Sequence, residues 1–171
     1  RIRTYSKTLN KNSIFFLEQK GRYDKRTYKK RIKLDLNDVN NFCSLKNLFE
    51  IKKKYNGNLL IEKFIFDIYK KNLLPAVMVD YHRSPFVNSN GLYFRLTFDS
   101  DIKASHTNSL FNTKYDKMCI PGYDILEVKF DNTMPPWFQK IIQSFQLNNV
   151  SVSKFALGIE SSGLSYDYEG R

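Results

Sequence analysis

The stretch that decides the fold is Tyr93-Phe94-Arg95-Leu96-Thr97-Phe98-Asp99, in which apolar and polar side chains alternate. Because successive side chains of a β-strand point to opposite faces, the alternation predicts a strand with one apolar face and one charged face. The apolar set is Phe94, Leu96 and Phe98, and the polar set is Arg95, Thr97 and Asp99. The stretch from Ile125 to Asp131 repeats the pattern, with Glu127, Lys129 and Asp131 on its charged side.

Charged and polar residues at similar spacing recur along the whole chain. They are Arg1 and Arg3, Glu18 and Lys20, Lys29 and Arg31, Tyr81 and Arg83, and Ser153 beside Lys154. A buried charge without a partner is costly, so these side chains must meet water, one another or a ligand. Their recurrence from strand to strand predicts a shared cavity for a highly charged ligand, and a closed antiparallel barrel would enclose such a cavity.

The composition narrows the class of ligand. The 171 residues include 28 Lys and Arg against 17 Asp and Glu, which gives a formal net charge of +11. A charge of this size attracts polyanions, namely nucleic acid, an anionic membrane surface or phosphate compounds. No apolar run reaches the length of a membrane span, and no signal peptide is recognisable. Cys43 and Cys119 match no zinc or redox spacing. We expect two buried free thiols, with a lone disulfide as the alternative.

The hydrophobic periodicity predicts an α+β domain, an antiparallel β-barrel with flanking helices. Seven predicted strands cover residues 1–5, 13–20, 26–34, 76–83, 92–99, 124–131 and 151–160. Predicted helices cover residues 38–55, with Asp38 as the N-cap, 59–71 and 135–145; turns are expected at 21–24 and 88–91, and an irregular loop over 100–118. The length suits one domain over residues 1–160, followed by a tail over 161–171.

The charged residues have a chemistry that fits phosphate. Arginine binds phosphate as a two-pronged donor and lysine binds it as a point charge. A carboxylate beside polyphosphate would repel it unless Mg²⁺ or Mn²⁺ lies between them. Glu127 is therefore the first candidate metal ligand, and Glu18 and Asp99 come after it. His82 and His106 belong to no catalytic or metal-binding motif.

The charged segments, taken in order, resemble the VTC domain, which is the polyphosphate polymerase domain of vacuolar transporter chaperone proteins and their bacterial relatives. The segments that carry the resemblance are Arg1–Tyr5, Leu17–Lys20, Tyr28–Ile32, Val79–Phe86, Gly91–Asp99, Ile125–Phe130 and Ser153–Glu160. They cover nearly the whole chain in the family's order. Each segment alone has limited specificity, so it is the ordered set that indicates a bacterial-type or divergent member.

The resemblance implies a triphosphate tunnel (CYTH-like) fold in which the γ-phosphate of ATP passes to a growing polyphosphate chain, with Mn²⁺ or Mg²⁺. The cations that it implies for catalysis are Arg83, Arg95, Lys129 and Lys154. The residues that it implies for substrate binding are Arg1, Arg3, Lys20, Lys29, Arg31, Tyr81 and Ser153, and those for the metal are Glu127 and Glu18. The implied partners are ATP, polyphosphate and, for the parent protein, a membrane protein. The implied location is the cytoplasm or the cytoplasmic face of a membrane.

Family members carry a further tunnel strand before the position of Arg1, so we expect this chain to lack an N-terminal piece. Two alternatives to the polymerase stay open because a fold does not fix a function. They are a triphosphatase on the same fold and a non-catalytic module that binds polyphosphate or inositol phosphates. Nucleic-acid binding is not favoured, because the basic residues alternate within strands and no RNA-binding motif occurs.

Overall fold

A computed structural model of the protein describes residues 1–6, 8–10, 12–24, 26–88, 93–111 and 117–164. The chain divides into two units. Unit 1 is Arg1–Ala76 with Thr107–Thr113, and unit 2 is Val77–His106 with Lys114–Arg171. Antiparallel strands and helices occur in both units, which confirms the α+β class.

The sheet of unit 1 is antiparallel and has the order β1-β2-β3. Its strands are β1 (Ile2–Thr4), β2 (Phe15–Tyr23) and β3 (Arg26–Leu34). The turn predicted at 21–24 is displaced, because β2 continues to Tyr23. Gly21 lies opposite Tyr28 in the ladder, and a Cβ at Gly21 would overlap the Tyr28 ring. Glycine therefore keeps the strand regular where a larger residue would disturb it.

The helices of unit 1 are α1 (Leu36–Ser44), α2 (Leu48–Lys54) and α3 (Leu59–Lys71). The single helix predicted over 38–55 is broken in two, because Leu45 (φ 55°) and Asn47 (φ 51°) adopt the left-handed conformation. The N-cap is Asp35, so the prediction that Asp38 caps the helix is wrong. The predicted helix over 59–71 is confirmed, with the Asn58 side chain capping its first turn.

The apolar face of the first sheet packs against these helices and forms the core of unit 1. Buried residues of β2, β3 and the three helices form one cluster, and their spacing follows the two-residue and helical periodicities. The largest contributors are Phe15, Leu17, Leu34, Val39, Phe42, Leu48, Ile51, Ile61, Ile65 and Ile68. The opposite face of the sheet is left for the charged side chains.

The sheet of unit 2 is built around one long central strand. Its strands are β4 (Met78–Val87), β5 (Phe94–Ser105), β6 (Lys117–Met118) and β7 (Ile125–Phe130). β5 pairs with β4 along one edge and with β6 and β7 along the other, always antiparallel. The loop predicted over 100–118 is wrong at both ends, because β5 continues to Ser105 and β6 follows at 117–118.

A β-bulge explains why β5 is longer than predicted. His82 pairs with Ser100 but Asp80 pairs with Lys103, so β5 holds one extra residue near Asp101, whose φ is 51°. An extra residue shifts the alternation by one position. Ile102 and Ala104 thus come onto the same face as Asp99, and both are buried. The sequence pattern breaks at this point although the strand does not.

Unit 2 also carries two helices, α4 (Pro136–Ser144) and α5 (Lys154–Ser161). The predicted helix over 135–145 is confirmed within a residue at each end. The strand predicted over 151–160 is wrong, because these residues begin as an extended segment and form α5 from Lys154. Ser153 caps that helix by accepting a hydrogen bond from the amide of Ala156 at 3.3 Å.

Strand pairing among the described residues produces the two sheets, so the closed barrel stays a prediction. Part of the turn predicted at 88–91 and most of the tail predicted over 161–171 lie outside the described residues. In the described part of the chain, no helix is long and apolar enough to cross a membrane.

Candidate functional site

The first sheet presents one face on which cations cluster around a single carboxylate. The register places Glu18 opposite Arg31, and Lys20 opposite Lys29. Side chains on this face are Arg1, Arg3, Glu18, Lys20, Lys29, Arg31 and Lys33, and we call it the first charged face. The predicted alternation of β2 and β3 is thereby confirmed.

Glu18 is the organising acid of the first charged face. Its side chain is fully buried and its Oε2 accepts hydrogen bonds from Nε and Nη2 of Arg1 at 3.0 and 2.7 Å. Its Oε1 lies 2.7 Å from Nζ of Lys29, and Nε of Arg3 is 4.0 Å from Oε2. Burial would raise the pKa of Glu18, but the contacts with Lys29 and Arg1 and the charge of Arg3 lower it to about 2.

The outer part of the first charged face is held by stacking. The guanidinium of Arg31 lies over the Phe16 ring with Cζ 4.8 Å from the centroid, and Arg31 is exposed. A stacked guanidinium keeps its edge available for hydrogen bonds while its orientation is fixed. Lys20 and Lys29 are also exposed, so anions can reach this part of the face from solvent.

The second sheet presents a second charged face. The register aligns Arg83 with Asp99, Thr97 with Glu127, and Arg95 with Lys129. Side chains on this face are Tyr81, Arg83, Arg95, Thr97, Asp99, Glu127 and Lys129. Lys154 joins it from the first turn of α5, where its Nζ lies 2.6 Å from Oδ2 of Asp99. We call this set the second charged face.

Asp99 holds two of these cations at once. Nε and Nη2 of Arg83 donate to its two oxygen atoms, each at 2.7 Å, and Lys154 contacts Oδ2. The carboxylate is completely buried. Burial would raise the pKa of Asp99, but Arg83 and Lys154 hold it below its usual range, and the same hydrogen bonds raise the pKa of Arg83.

Glu127 is the more accessible carboxylate of the second charged face. Its side chain is 39% exposed, its Oε1 lies 3.1 Å from Nζ of Lys129, and its Oε2 lies 3.6 Å from Nη2 of Arg83. Burial would raise the pKa of Glu127, but Lys129 and then Arg83 lower it overall. Glu127 is therefore an ionised carboxylate with one side open to solvent.

Arg95 differs from the other cations of this face. Its Nε is buried and makes no hydrogen bond in the described structure. Lys129, its neighbour in the ladder, is positively charged as well. A buried guanidinium nitrogen without an acceptor is costly, so an anion at this position would relieve the cost.

Tyr81 and Ser153 lie next to the cations Arg83 and Lys154. The Tyr81 ring lies 5.3 Å from Cζ of Arg83 and 5.1 Å from Nζ of Lys154, which are cation–π distances. Ser153 is exposed and its hydroxyl caps α5. The structure thus brings Tyr81 to the second charged face and puts Ser153 at the start of the helix that carries Lys154.

The two predicted metal ligands fit a divalent cation unequally. Mg²⁺ is held mostly by one or two carboxylates together with phosphate oxygens and water. Glu127 is ionised and partly exposed, so it fits this donor set. Both oxygen atoms of Glu18 already contact cations in a fully buried site, so Glu18 fits it poorly. No group of three or more His, Cys, Asp or Glu that could hold a metal occurs within the described ranges.

The ion pairs of Asp99 with Arg83 and Lys154 could not be predicted from the sequence, in which Asp99 was a candidate metal ligand. Arg83 lies 16 residues before it, and Lys154 belongs to a segment predicted as a strand. The sequence signal that could have placed Lys154 on a helix is Ser153, a favourable N-cap residue two positions before the apolar Phe155.

The comparisons with known proteins agree with the resemblance. A family model described as the VTC domain matches residues 1–162, which include both charged faces. No curated protein matches the chain closely enough to count as a relative. The matched family is associated with polyphosphate polymerase activity. The chain therefore belongs to the VTC domain family.

Proposed function

We propose that the protein is a metal-dependent polyphosphate polymerase that transfers the γ-phosphate of ATP to a growing polyphosphate chain. The observation that carries the proposal is the buried Nε of Arg95, which lacks an acceptor on a face where four cations outnumber two carboxylates. Such a face is incomplete without an anion. Membership of the VTC domain family supports phosphate over other anions.

The residue types fit phosphoryl transfer. This reaction needs in-line positioning and charge neutralisation rather than a covalent nucleophile. Arg83 and Arg95 offer forked donors to phosphate oxygens, while Lys129 and Lys154 supply point charges. Their positive charges would stabilise the charge that spreads over the transferred phosphoryl group.

A divalent metal supplies further charge neutralisation when it is bound, and Glu127 is the residue that would hold it. Glu127 can release Lys129, which is 55% exposed and returns readily to water. Glu18 stays the second candidate by resemblance, although its contacts favour a structural role.

The first charged face suits the binding of a linear polyanion. It presents five candidate phosphate-binding cations and one carboxylate, Glu18, which contacts three of them, Arg1, Arg3 and Lys29. The other two cations are Lys20 and Arg31, which lie on the same face. We assign these five cations to substrate phosphates and Tyr81 and Ser153 to supporting hydrogen bonds. The closed tunnel, a membrane-protein partner and a cytoplasmic location belong to the same proposal.

The test is to incubate the full-length protein with ATP and Mn²⁺ and to resolve the products on a gel stained for polyphosphate. A ladder of lengthening chains with matching ADP release is the expected result. Free phosphate alone would indicate a tunnel triphosphatase instead. Tight triphosphate binding without turnover would indicate a binding module.

Two variants test the assignment of residues. Arg95→Ala should abolish synthesis and weaken ATP binding, because it removes the guanidinium whose buried Nε has no acceptor in the part of the chain that the structure describes. Glu127→Gln should abolish the metal-dependent synthesis while leaving the fold intact. Matched controls are Lys140→Ala and Glu50→Gln, which change the same charges at exposed helical positions. Unchanged synthesis in Arg95→Ala or Glu127→Gln would refute the role given to that residue.

A further inference from the structure

Asp99 presents a puzzle on a face proposed to bind phosphate. It is completely buried, and it carries a negative charge among the cations Arg83 and Lys154. A fixed negative charge lowers the attraction of this face for any anion. Its presence therefore needs an explanation other than direct attraction of phosphate.

The contacts of Asp99 supply an explanation in terms of geometry. They join three elements, because Arg83 comes from β4, Asp99 from β5 and Lys154 from α5. Arg83 uses Nε and Nη2 for Asp99, a two-pronged contact that fixes the plane of the guanidinium. Its Nη1 edge is then held in a defined direction, and Lys154 is anchored beside it.

The surrounding backbone is built to make this arrangement possible. The bulge at Asp101 puts Ala104 on the same face as Asp99, next to Val79 in the ladder. α5 packs on that apolar patch through Gly158, whose added Cβ would lie only 2.8 Å from Cγ2 of Val79. This close approach brings the first turn of α5, and with it Lys154, to Asp99.

A metal-binding role for Asp99 fits these contacts poorly. Both of its oxygen atoms accept from cations at 2.6 to 2.7 Å, and the carboxylate has no exposed surface. A metal ion would have to displace Arg83 and Lys154 from a buried position. Glu127, with an open side, is the better ligand on the same face.

We propose that Asp99 is a positioning residue, which acts through Arg83 and Lys154 by holding them in the geometry that receives substrate phosphate. It touches neither the substrate nor the metal. The proposal rests on the proposed function, since it concerns phosphate binding by the second charged face. The proposal explains why an acid is present at a position where its negative charge alone would oppose phosphate binding.

Asp99→Asn tests the proposal through the sign of its effect. If Asp99 acted only as a negative charge, its removal would tighten the binding of tripolyphosphate. If it positions Arg83 and Lys154, the variant should bind tripolyphosphate at least ~10-fold more weakly and turn over more slowly, because misplaced groups are costly in catalysis. Binding is measured by titration calorimetry without metal, and turnover with ATP and Mn²⁺.

Asp101→Asn is the matched control. It removes the same charge two residues away, at an exposed position whose left-handed conformation asparagine adopts readily. We expect this variant to bind tripolyphosphate as tightly as the wild type or slightly more tightly. A loss of similar size in both variants would show that the effect comes from a disturbance of the bulge rather than from the contacts of Asp99, and would overturn the proposal.

Asp99→Glu covers the case in which Asp99→Asn fails to fold. It keeps the negative charge and so the ion pairs, but it moves the carboxylate outward by one methylene. Positioning predicts weaker tripolyphosphate binding and a lower kcat in a protein that still unfolds cooperatively. Binding and kcat equal to wild type would overturn the proposal.

Failure of the wild type to bind tripolyphosphate would instead refute the proposed function.

Discussion

At the scale of single residues, Glu18 shows how one buried acid can couple folding to pH. Its pKa in the folded protein is about 2, below the ordinary value of 4.5. A carboxyl group with a lowered pKa stabilises the fold above its ordinary pKa and loses this contribution as the pH falls through the folded value. The window for Glu18 therefore runs from about pH 4.5 down to about pH 2.

We predict that Glu18→Gln lowers the free energy of unfolding at pH 7 by an amount on the order of 3 kcal/mol. The difference from wild type should shrink as the pH falls and vanish near pH 2, because the protonated acid resembles glutamine. Thermal unfolding followed by circular dichroism between pH 7 and pH 2 measures both curves. Subtraction of the curves isolates Glu18 from Asp99 and Glu127, whose pKa values are lowered too.

Glu50→Gln is the control for this prediction. Glu50 is exposed on α2 and has no ion pair among the described residues. The difference in the free energy of unfolding between Glu50→Gln and the wild type should not change with pH. A difference for Glu18→Gln that stays constant from pH 7 to pH 2 would contradict the ion-pair account of the first charged face.

The face on which each charged residue lies could be predicted from the sequence, whereas its partner could not. A period of two residues fixes which side chains share a face, so the sets around Glu18 and Arg95 are recoverable from spacing alone. Ion pairs depend on register and on long-range packing. Glu18 and Asp99 both looked like metal ligands, because the cations that neutralise them come from other strands and from α5.

At the scale of elements, the position of α5 depends on one glycine. Gly158 is buried, and an alanine Cβ there would lie 2.8 Å from Cγ2 of Val79 and 3.2 Å from Cγ2 of Val77. Valine is stiff at χ1, so it cannot easily turn away. Alanine is the better helix former by about 1 kcal/mol, but the overlap opposes this gain.

We predict that Gly158→Ala destabilises the protein by about 1–3 kcal/mol, as overpacking usually does. It should also weaken tripolyphosphate binding, because the added methyl group would push α5 away from the sheet and so move Lys154 away from Asp99. Val79→Ala in the same chain removes the clashing methyl group and should recover part of both losses. Chemical denaturation of the two single variants and the double variant gives the coupling energy. Strictly additive effects would show that α5 does not rest on Val79.

The errors of element prediction have local causes. A positive φ at Asp101 inserted a bulge, so β5 continued after its alternation had changed phase. Positive φ at Leu45 and Asn47 divided one predicted helix into α1 and α2. The apolar run Phe155-Ala156-Leu157 is short enough to fit a strand or a helix, and packing on β4 and β5 decided for the helix.

At the scale of the whole molecule, the net charge of +11 makes some binding to any polyanion inevitable. Such binding weakens with added salt whether or not a specific site exists. Salt dependence therefore cannot separate a phosphate site from a basic surface. The location of the charges can separate them, since a site needs cations in fixed geometry.

Two double variants that lose the same charge at different places make this comparison. Lys20→Gln with Arg31→Gln acts on the first charged face, and Lys52→Gln with Lys53→Gln acts on the exposed end of α2. Each pair removes two positive charges from the formal +11. The first pair spares the contacts of Glu18 with Arg1 and Lys29, so the sheet should stay folded.

We predict that only the first pair lowers the affinity for long-chain polyphosphate by ~10-fold or more, because charge-assisted hydrogen bonds to phosphate are worth about 1.5–3 kcal/mol each. Binding of single-stranded DNA at the same ionic strength should fall by similar, smaller amounts in both pairs. Fluorescence anisotropy with labelled polyphosphate and DNA measures all four cases. Equal losses of polyphosphate affinity in the two pairs would mean that the first charged face is merely part of a basic surface. A loss confined to Lys20 and Arg31 would mean that the alternating cations of the strands act as a phosphate site.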